Sequence, residues 1–233
     1  MAPAGCYVPA VSSRTLFTRA LMSGVLLLAA AGTALGLPGV GAADPCPDVE
    51  VIFARGTGEP PGLGKVGQAF VAALTPHLDG RTLDTYAVNY PASFDFLTTA
   101  EGATDAGAQI AAVTSRCKNT QLVLGGYSQG AATVDMLAGV PPLGDTVGEI
   151  GSAPSLATPF ADKISAAVVF GNPAARFGTP LSTTGLLAGR AIDQCNMDDP
   201  ICSPTGDLIA AHEVYEFAPY PQEAADFVAG LLH

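Results

Sequence analysis

Residues 124–132 read LGGYSQGAA, one serine set between two glycines. Ser128 has Gly126 two residues before it and Gly130 two residues after it. Such spacing belongs either to an ordinary glycine-rich loop or to a nucleophile carried on a turn too tight for side chains. The flanks decide. QLVLGGY (121–127) is a short apolar run that predicts a buried strand, and QGAATVDMLAGV (129–140) predicts a helix. A G-x-S-x-G pentad between strand and helix is a nucleophile elbow. The turn strains the serine backbone, and side chains at the flanking small positions would collide with each other and with the neighbouring strand and helix. It also lifts the serine oxygen clear of the sheet and aims the first helical N–H groups at the reacting centre.

Outward from the elbow the pattern repeats. VEVIFA (49–54), LDTYAVNY (83–90), ISAAVVFGNP (164–173) and the weaker GRAIDQC (189–195) predict strands. VGQAFVAALTPHL (66–78), DAGAQIAAVTSRC (105–117) and PQEAADFVAGLL (221–232) predict helices. Strand alternating with helix implies an α/β fold, a mainly parallel sheet with helices on both faces. Catalytic groups in such folds gather beyond the carboxyl ends of the strands.

The first 43 of the 233 residues differ from the rest: Arg14 and Arg19, then the apolar ALMSGVLLLAAAGTALGL (20–37), then small residues at Gly41 and Ala43. That order is a secretory signal, with an uncleaved membrane anchor as its rival. Residues 44–233 form one domain holding all 21 acidic residues and eight of the ten basic ones, a charge of −13. A polyanion is repelled by nucleic acid and by anionic lipid. Four cysteines follow the signal, Cys46, Cys117, Cys195 and Cys202. In an exported chain they imply two disulfides, with three pairings open. No Cys-x-x-Cys occurs and histidine is scarce, which argues against a zinc site.

A serine nucleophile needs a base, and the base needs an orienting carboxylate. Of three histidines, His77 falls late in a predicted helix and His233 ends the chain. His212, in the loop before the closing helix, follows the serine in the order this architecture uses. Acid candidates are Asp193, Asp198, Asp199 and Asp207. Asp198 and Asp199 lie between Cys195 and Cys202, and residue chemistry does not separate them.

GYSQG, CNMDDPIC (195–202), the single following His212 and VIFARGT (51–57) together resemble the cutinase family of serine esterases, its bacterial secreted branch in particular. The resemblance spans nearly all of residues 46–233. It implies a compact α/β-hydrolase fold with little or no lid, and a triad of Ser128, Asp199 and His212. It implies an oxyanion hole from the backbone N–H groups of Thr57 and Gln129, with threonine where many members have serine. It also implies disulfides Cys46–Cys117 and Cys195–Cys202. Neither Asp198 nor Asp199 is then expected to matter much for stability, because the disulfide closes their loop.

The expectation is a secreted, extracellular or cell-wall-associated monomeric serine esterase acting on short-to-medium acyl esters, a lipid or a cutin-like polyester among them. Contact with a lipid surface is consistent with that; no cofactor, metal or nucleic acid is implied. Phe94, Phe96, Leu97, Leu186 and Leu187 are candidates either for an acyl groove or for loop anchors. The alternatives are a phospholipase or thioesterase on the same triad, and an inactive relative that binds a surface.

Overall fold

The computed structural model describes residues 46–144 and 150–233. The segment expected to be a signal, residues 1–43, lies outside them. Five strands, β1 (Val49–Ala54), β2 (Leu83–Ala87), β3 (Gln121–Tyr127), β4 (Ile164–Phe170) and β5 (Ala191–Gln194), form one sheet in the order β2-β1-β3-β4-β5. Every pair is parallel. The helices are α1 (Gly64–Leu74), α2 (Thr99–Arg116), α3 (Gln129–Ala138), two single turns α4 (Thr158–Ala161) and α5 (Pro173–Arg176), and α6 (Tyr220–Ala229).

The strands are apolar at nearly every position because both faces are covered. On β1, Ile52 and Ala54 point to one core, while Val51 and Phe53 point to the other, the period-two alternation of a strand. The first core lies under α2 and α3, with Ile110, Leu122, Leu124, Leu137 and Val169. The second lies under α1 and α6, where the rings of Phe53, Phe70 and Phe170 pack 6.2–6.4 Å apart. Helix α3 is buried at all ten positions.

Several boundaries differ from the sequence reading by a few residues, and two of them have a visible cause. Helix α2 starts at Thr99, not 105. A Cβ at Gly102, in the added turn, would sit 3.1 Å from the Tyr90 ring, so the glycine serves close packing. Strand β2 stops at Ala87 because the next carbonyls leave the ladder: Val88 and Tyr90 accept from the Arg55 guanidinium.

The bonded cysteines are Cys46–Cys117 and Cys195–Cys202, separated by 71 and 7 residues. Loop-closure entropy gives the long bridge about 4 kcal/mol and the short one about 2.5 kcal/mol. Replacing Cys46 and Cys117 by alanine is therefore expected to lower the unfolding free energy more than replacing Cys195 and Cys202. The second pair should lose more turnover, because that loop carries Asp199. Denaturant unfolding and kcat on both double variants check this; the reverse order in either measurement contradicts it.

Candidate active site

The carboxyl ends of β1, β3, β4 and β5 face one edge, and the residues that follow them build the site. Ser128 leaves β3 with φ 55° and ψ −116° and caps α3. A serine there is strained by about 1–3 kcal/mol. The turn is held by its backbone: Ser128 N–H donates to Phe170 C=O at 2.9 Å, and Ser128 C=O accepts from Ala132 at 3.1 Å. A Cβ at Gly126 would strike the Gly130 carbonyl, and one at Gly130 would strike Ala54 C=O on β1. The glycines allow helix and sheet to touch across the turn.

His212 sits in a 3-10 turn, Ile209–Glu213, and is buried. Tyr127 O–H donates to its carbonyl at 2.6 Å, and the two rings lie 5.1 Å apart. Beyond β4, Gly171 has φ 56°, and a Cβ there would come within 2.6 Å of His212 Cε1. The imidazole is thus fixed from two sides. Its Nε2 is 2.8 Å from Ser128 Oγ and its Nδ1 is 2.8 Å from Asp199 Oδ2.

Asp199 is fully buried. Oδ2 also accepts from Tyr215 O–H at 2.6 Å, and Oδ1 accepts from Ile201 N–H at 2.7 Å. Burial works to raise its pKa, but the hydrogen bonds from His212, Tyr215 and Ile201 outweigh it and hold the carboxyl below the usual range. A carboxylate only accepts, so Nδ1 carries the imidazole proton and Nε2 is left to accept from the serine hydroxyl. Asp198 points to solvent. Asp193 instead accepts from Asn172 and from the N–H groups of Leu181 and Ser182, and Asp207 is exposed. His77, in the 3-10 turn Thr75–Leu78 that follows α1, pairs with Asp226 of α6 at 3.6 Å, away from the site.

Thr57 follows β1. Glu59 Oε2 accepts from Gly56 N–H at 2.7 Å, and Gly58 N–H donates to Ala92 C=O at 2.6 Å. Arg55 is buried, and it reaches Glu59, Val88 and Tyr90 carbonyls while stacking 5.2 Å over the Tyr90 ring. Thr57 Oγ1 donates to Gln129 Oε1 at 3.0 Å, and Gln129 Nε2 donates to Thr99 Oγ1 at 3.0 Å. The side chains thereby hold Thr57 beside Gln129. As the first residue of α3, Gln129 carries an N–H with no intrahelical acceptor.

A groove of about 510 Å³ opens on Ser128 and His212, with Phe94, Phe96, Leu143, Ile150, Ile201 and Ile209 on its walls. Of the five loop residues singled out from sequence, Phe94 and Phe96 line it. Leu187 is instead buried in the core and serves as an anchor, drawn in by its own 3-10 turn, Gly185–Leu187. Leu97 and Leu186 are exposed and do not line it. Ile201 and Ile209, which flank the acid and the histidine, were missed; their closeness in sequence to Asp199 and His212 was the available signal. Among the described residues, no three His, Cys, Asp or Glu side chains are grouped to hold a metal ion.

The cutinase family model matches residues 45–232. A Mycobacterium tuberculosis protein named probable carboxylesterase Culp3 is 47% identical over 216 residues, covering 91% of this chain and 79% of the relative. Phospholipase Culp4 of the same species is 45% identical over 217 residues, covering 92% of each. A Trichoderma reesei cutinase, solved with a phosphonate inhibitor, superposes with a TM-score of 0.64 at 36% identity, covering 82% of this chain and 78% of the other. Its fold is the α/β-hydrolase-like sheet with flanking helices described above. The chain belongs to the cutinase family, a family of carboxylic ester hydrolases, and is an enzyme of that class.

Proposed function

We propose that this chain is a secreted serine esterase in which Ser128 is the nucleophile, His212 the general base and Asp199 the group that orients it. The carrying observation is the unbroken run of contacts from Asp199 Oδ2 to His212 Nδ1 and from His212 Nε2 to Ser128 Oγ, each 2.8 Å. Ser128 Oγ attacks the ester carbonyl carbon as its proton passes to Nε2. The carbonyl oxygen becomes an oxyanion, held by the N–H groups of Thr57 and Gln129. Collapse breaks the bond to the alcohol oxygen, which takes the proton from Nε2. Water then gives a proton to the same nitrogen, attacks the acyl carbon and releases the acid, restoring Ser128. Asp199 stays ionised throughout and stabilises the imidazolium.

The apolar groove favours short-to-medium acyl chains. It opens to solvent without a cap among the described residues, which supports esterase rather than lid-gated lipase behaviour. The relative named phospholipase supports phospholipid esters as a second substrate class. Two disulfides support an exported location, with residues 1–43 as its signal.

An alkyl phosphonate carrying a good leaving group is expected to label Ser128 at one equivalent and abolish ester turnover in step with labelling. A panel of esters graded by acyl length, run beside a phosphatidylcholine, then assigns the class. A folded protein that neither labels nor hydrolyses any of them would instead be a surface-binding relative.

A further inference from the structure

Gly56 is the point at which the loop after β1 is free to turn. A Cβ there would strike the Tyr127 ring, so packing against the strand of the nucleophile admits only glycine. Glycine alone leaves the peptide that follows with little resistance to rotation. That peptide matters, because its nitrogen carries the Thr57 N–H, one of the two donors assigned to the oxyanion. Its carbonyl and N–H are trans and point to opposite edges. A half-turn of the plane would remove the donor and put a carbonyl oxygen in its place.

Both backbone groups of Gly56 are held by one residue. Glu59 N–H donates to Gly56 C=O at 3.3 Å, closing a β-turn in which Gly58 takes φ 77°. The Glu59 carboxylate reaches back, and its Oε2 accepts from Gly56 N–H at 2.7 Å. Gly58 N–H is spent on Ala92 C=O. Of the successive N–H groups of Gly56, Thr57 and Gly58, only that of Thr57 has no acceptor among the described residues, and Thr57 lines the groove beside Ser128.

The carboxylate itself is fixed. Oε1 accepts from Lys65 N–H at 2.8 Å, in the first turn of α1, where a negative charge meets the positive end of the helix. Gly64 makes the room, since a Cβ on it would strike the Glu59 carboxylate. Arg55 Nε donates to Glu59 C=O at 2.9 Å, and the same guanidinium is anchored on the carbonyls of Val88 and Tyr90. Glu59 is thereby tied to α1 on one side and to the segment after β2 on the other.

We infer that Glu59 is a positioning residue of the oxyanion hole, locking the Gly56–Thr57 peptide with the Thr57 N–H turned to the reacting carbonyl. The inference rests on the reading of Ser128 and Thr57 given above. Glu59 does not line the groove that opens on Ser128. Its charge alone would oppose a nearby oxyanion, so its contribution is geometric.

The test compares a tetrahedral oxyanion with a ground state. With an alkyl trifluoromethyl ketone, Ser128 Oγ bonds to the carbonyl carbon, the Ser128 proton passes to His212 Nε2, and the carbonyl π pair becomes an oxyanion between Thr57 and Gln129. The matching trifluoromethyl carbinol fills the same groove without forming that anion. Ki for both, kcat/KM for phenyl butyrate and the melting temperature are measured on the parent, Glu59→Ala and Glu59→Gln. Outright loss of an oxyanion donor costs about a hundred- to a thousand-fold. In Glu59→Ala the Thr57 side chain and Gly58 N–H still hold part of the turn, so kcat/KM should fall by about ten- to a hundred-fold. Ki for the ketone should rise by the same factor, while Ki for the carbinol stays within about two-fold. Glu59→Gln keeps the reach of the side chain but offers one oxygen where two are used. It should lie between the parent and Glu59→Ala on both scales, and it carries the same test if the alanine variant does not fold. A Glu59 that only caps α1 would lower the melting temperature and leave the ketone Ki where it was. That result, an equal weakening of ketone and carbinol, or a variant faster than the parent would each overturn the inference. A parent that neither hydrolyses the ester nor binds the ketone more tightly than the carbinol overturns the Ser128 reading, and this inference with it.

Discussion

Ser128→Ala is expected to lower kcat by about a million-fold, the scale seen when a triad nucleophile is removed, while the protein stays folded. Both halves follow from the same geometry. Among the described residues, the Ser128 hydroxyl bonds to His212 Nε2 alone. The turn itself is held by backbone bonds to Phe170 and Ala132 and by glycines at 126 and 130. None of these involves the hydroxyl. Alanine tolerates φ 55° about as poorly as serine does, so the backbone strain is present in both proteins and cancels in the comparison. The melting temperature should stay within a few degrees of the parent, on the order expected for a change below about 1 kcal/mol. The thresholds for turnover are equally clear. Removing the nucleophile leaves the oxyanion donors and the groove, which keep a residual acceleration of about a thousand-fold or more over water. Activity at that level is compatible with the assignment. Activity within about a hundred-fold of the parent, in a protein of native melting temperature that takes up no phosphonate, would remove Ser128 from the mechanism.

The elbow and the sheet were legible in the sequence because they are local. The strand QLVLGGY ends where β3 ends, at Tyr127, and the glycine at 126 follows from backbone crowding against Gly130, four residues on. What was not legible is what the turn leans on. Gly130 is excluded from larger residues by Ala54, 76 positions earlier in the chain, and Gly171 by His212, 41 positions later. A sequence pattern within one element carries no trace of such contacts. Arg55 is the sharpest case. An arginine at the end of an apolar strand reads as the point where the chain surfaces, yet it is buried and held by carbonyls from the segment after β2. Asp135 is similar. It occupies one position of α3 that looks like a polar face, but the helix is central and has none. Burial there pushes the carboxyl well above its usual range, with one hydrogen bond from Asn172 acting against this.

The acid of the triad is where chain chemistry and the fold part most clearly, and Asp199→Asn against Asp198→Asn tests it. The two residues are adjacent, and charge, size and loop are shared. The fold separates them completely: Asp199 is buried against His212, Tyr215 and Ile201 N–H, and Asp198 faces solvent. In Asp199→Asn the amide has two orientations, and both conflict with what surrounds it. If its oxygen stays on Ile201 N–H, its NH2 faces His212 Nδ1 and Tyr215 O–H. The imidazole must then accept at Nδ1 and place its proton on Nε2, where it can no longer take one from Ser128. If the amide flips, NH2 meets the Ile201 N–H, donor against donor. The first arrangement sets the wrong tautomer, and the expected loss of kcat is about ten-thousand-fold; Asp198→Asn should stay within about two-fold. Stability should also differ, contrary to the expectation that the disulfide alone holds the loop. One or two hydrogen bonds to a buried carboxylate are lost, at about 1–3 kcal/mol each, so Asp199→Asn should melt below both the parent and Asp198→Asn at pH 7. The pH dependence has a fixed sign. The folded-state pKa of Asp199 lies below its unfolded value, so its contribution is present above about pH 4 and is lost as pH falls through the folded value. The gap in melting temperature between parent and Asp199→Asn should therefore be widest near neutrality and narrow in acid. A gap that widens in acid, or an inactive Asp198→Asn beside a normal Asp199→Asn, would transfer the orienting role away from Asp199 while leaving the family assignment untouched.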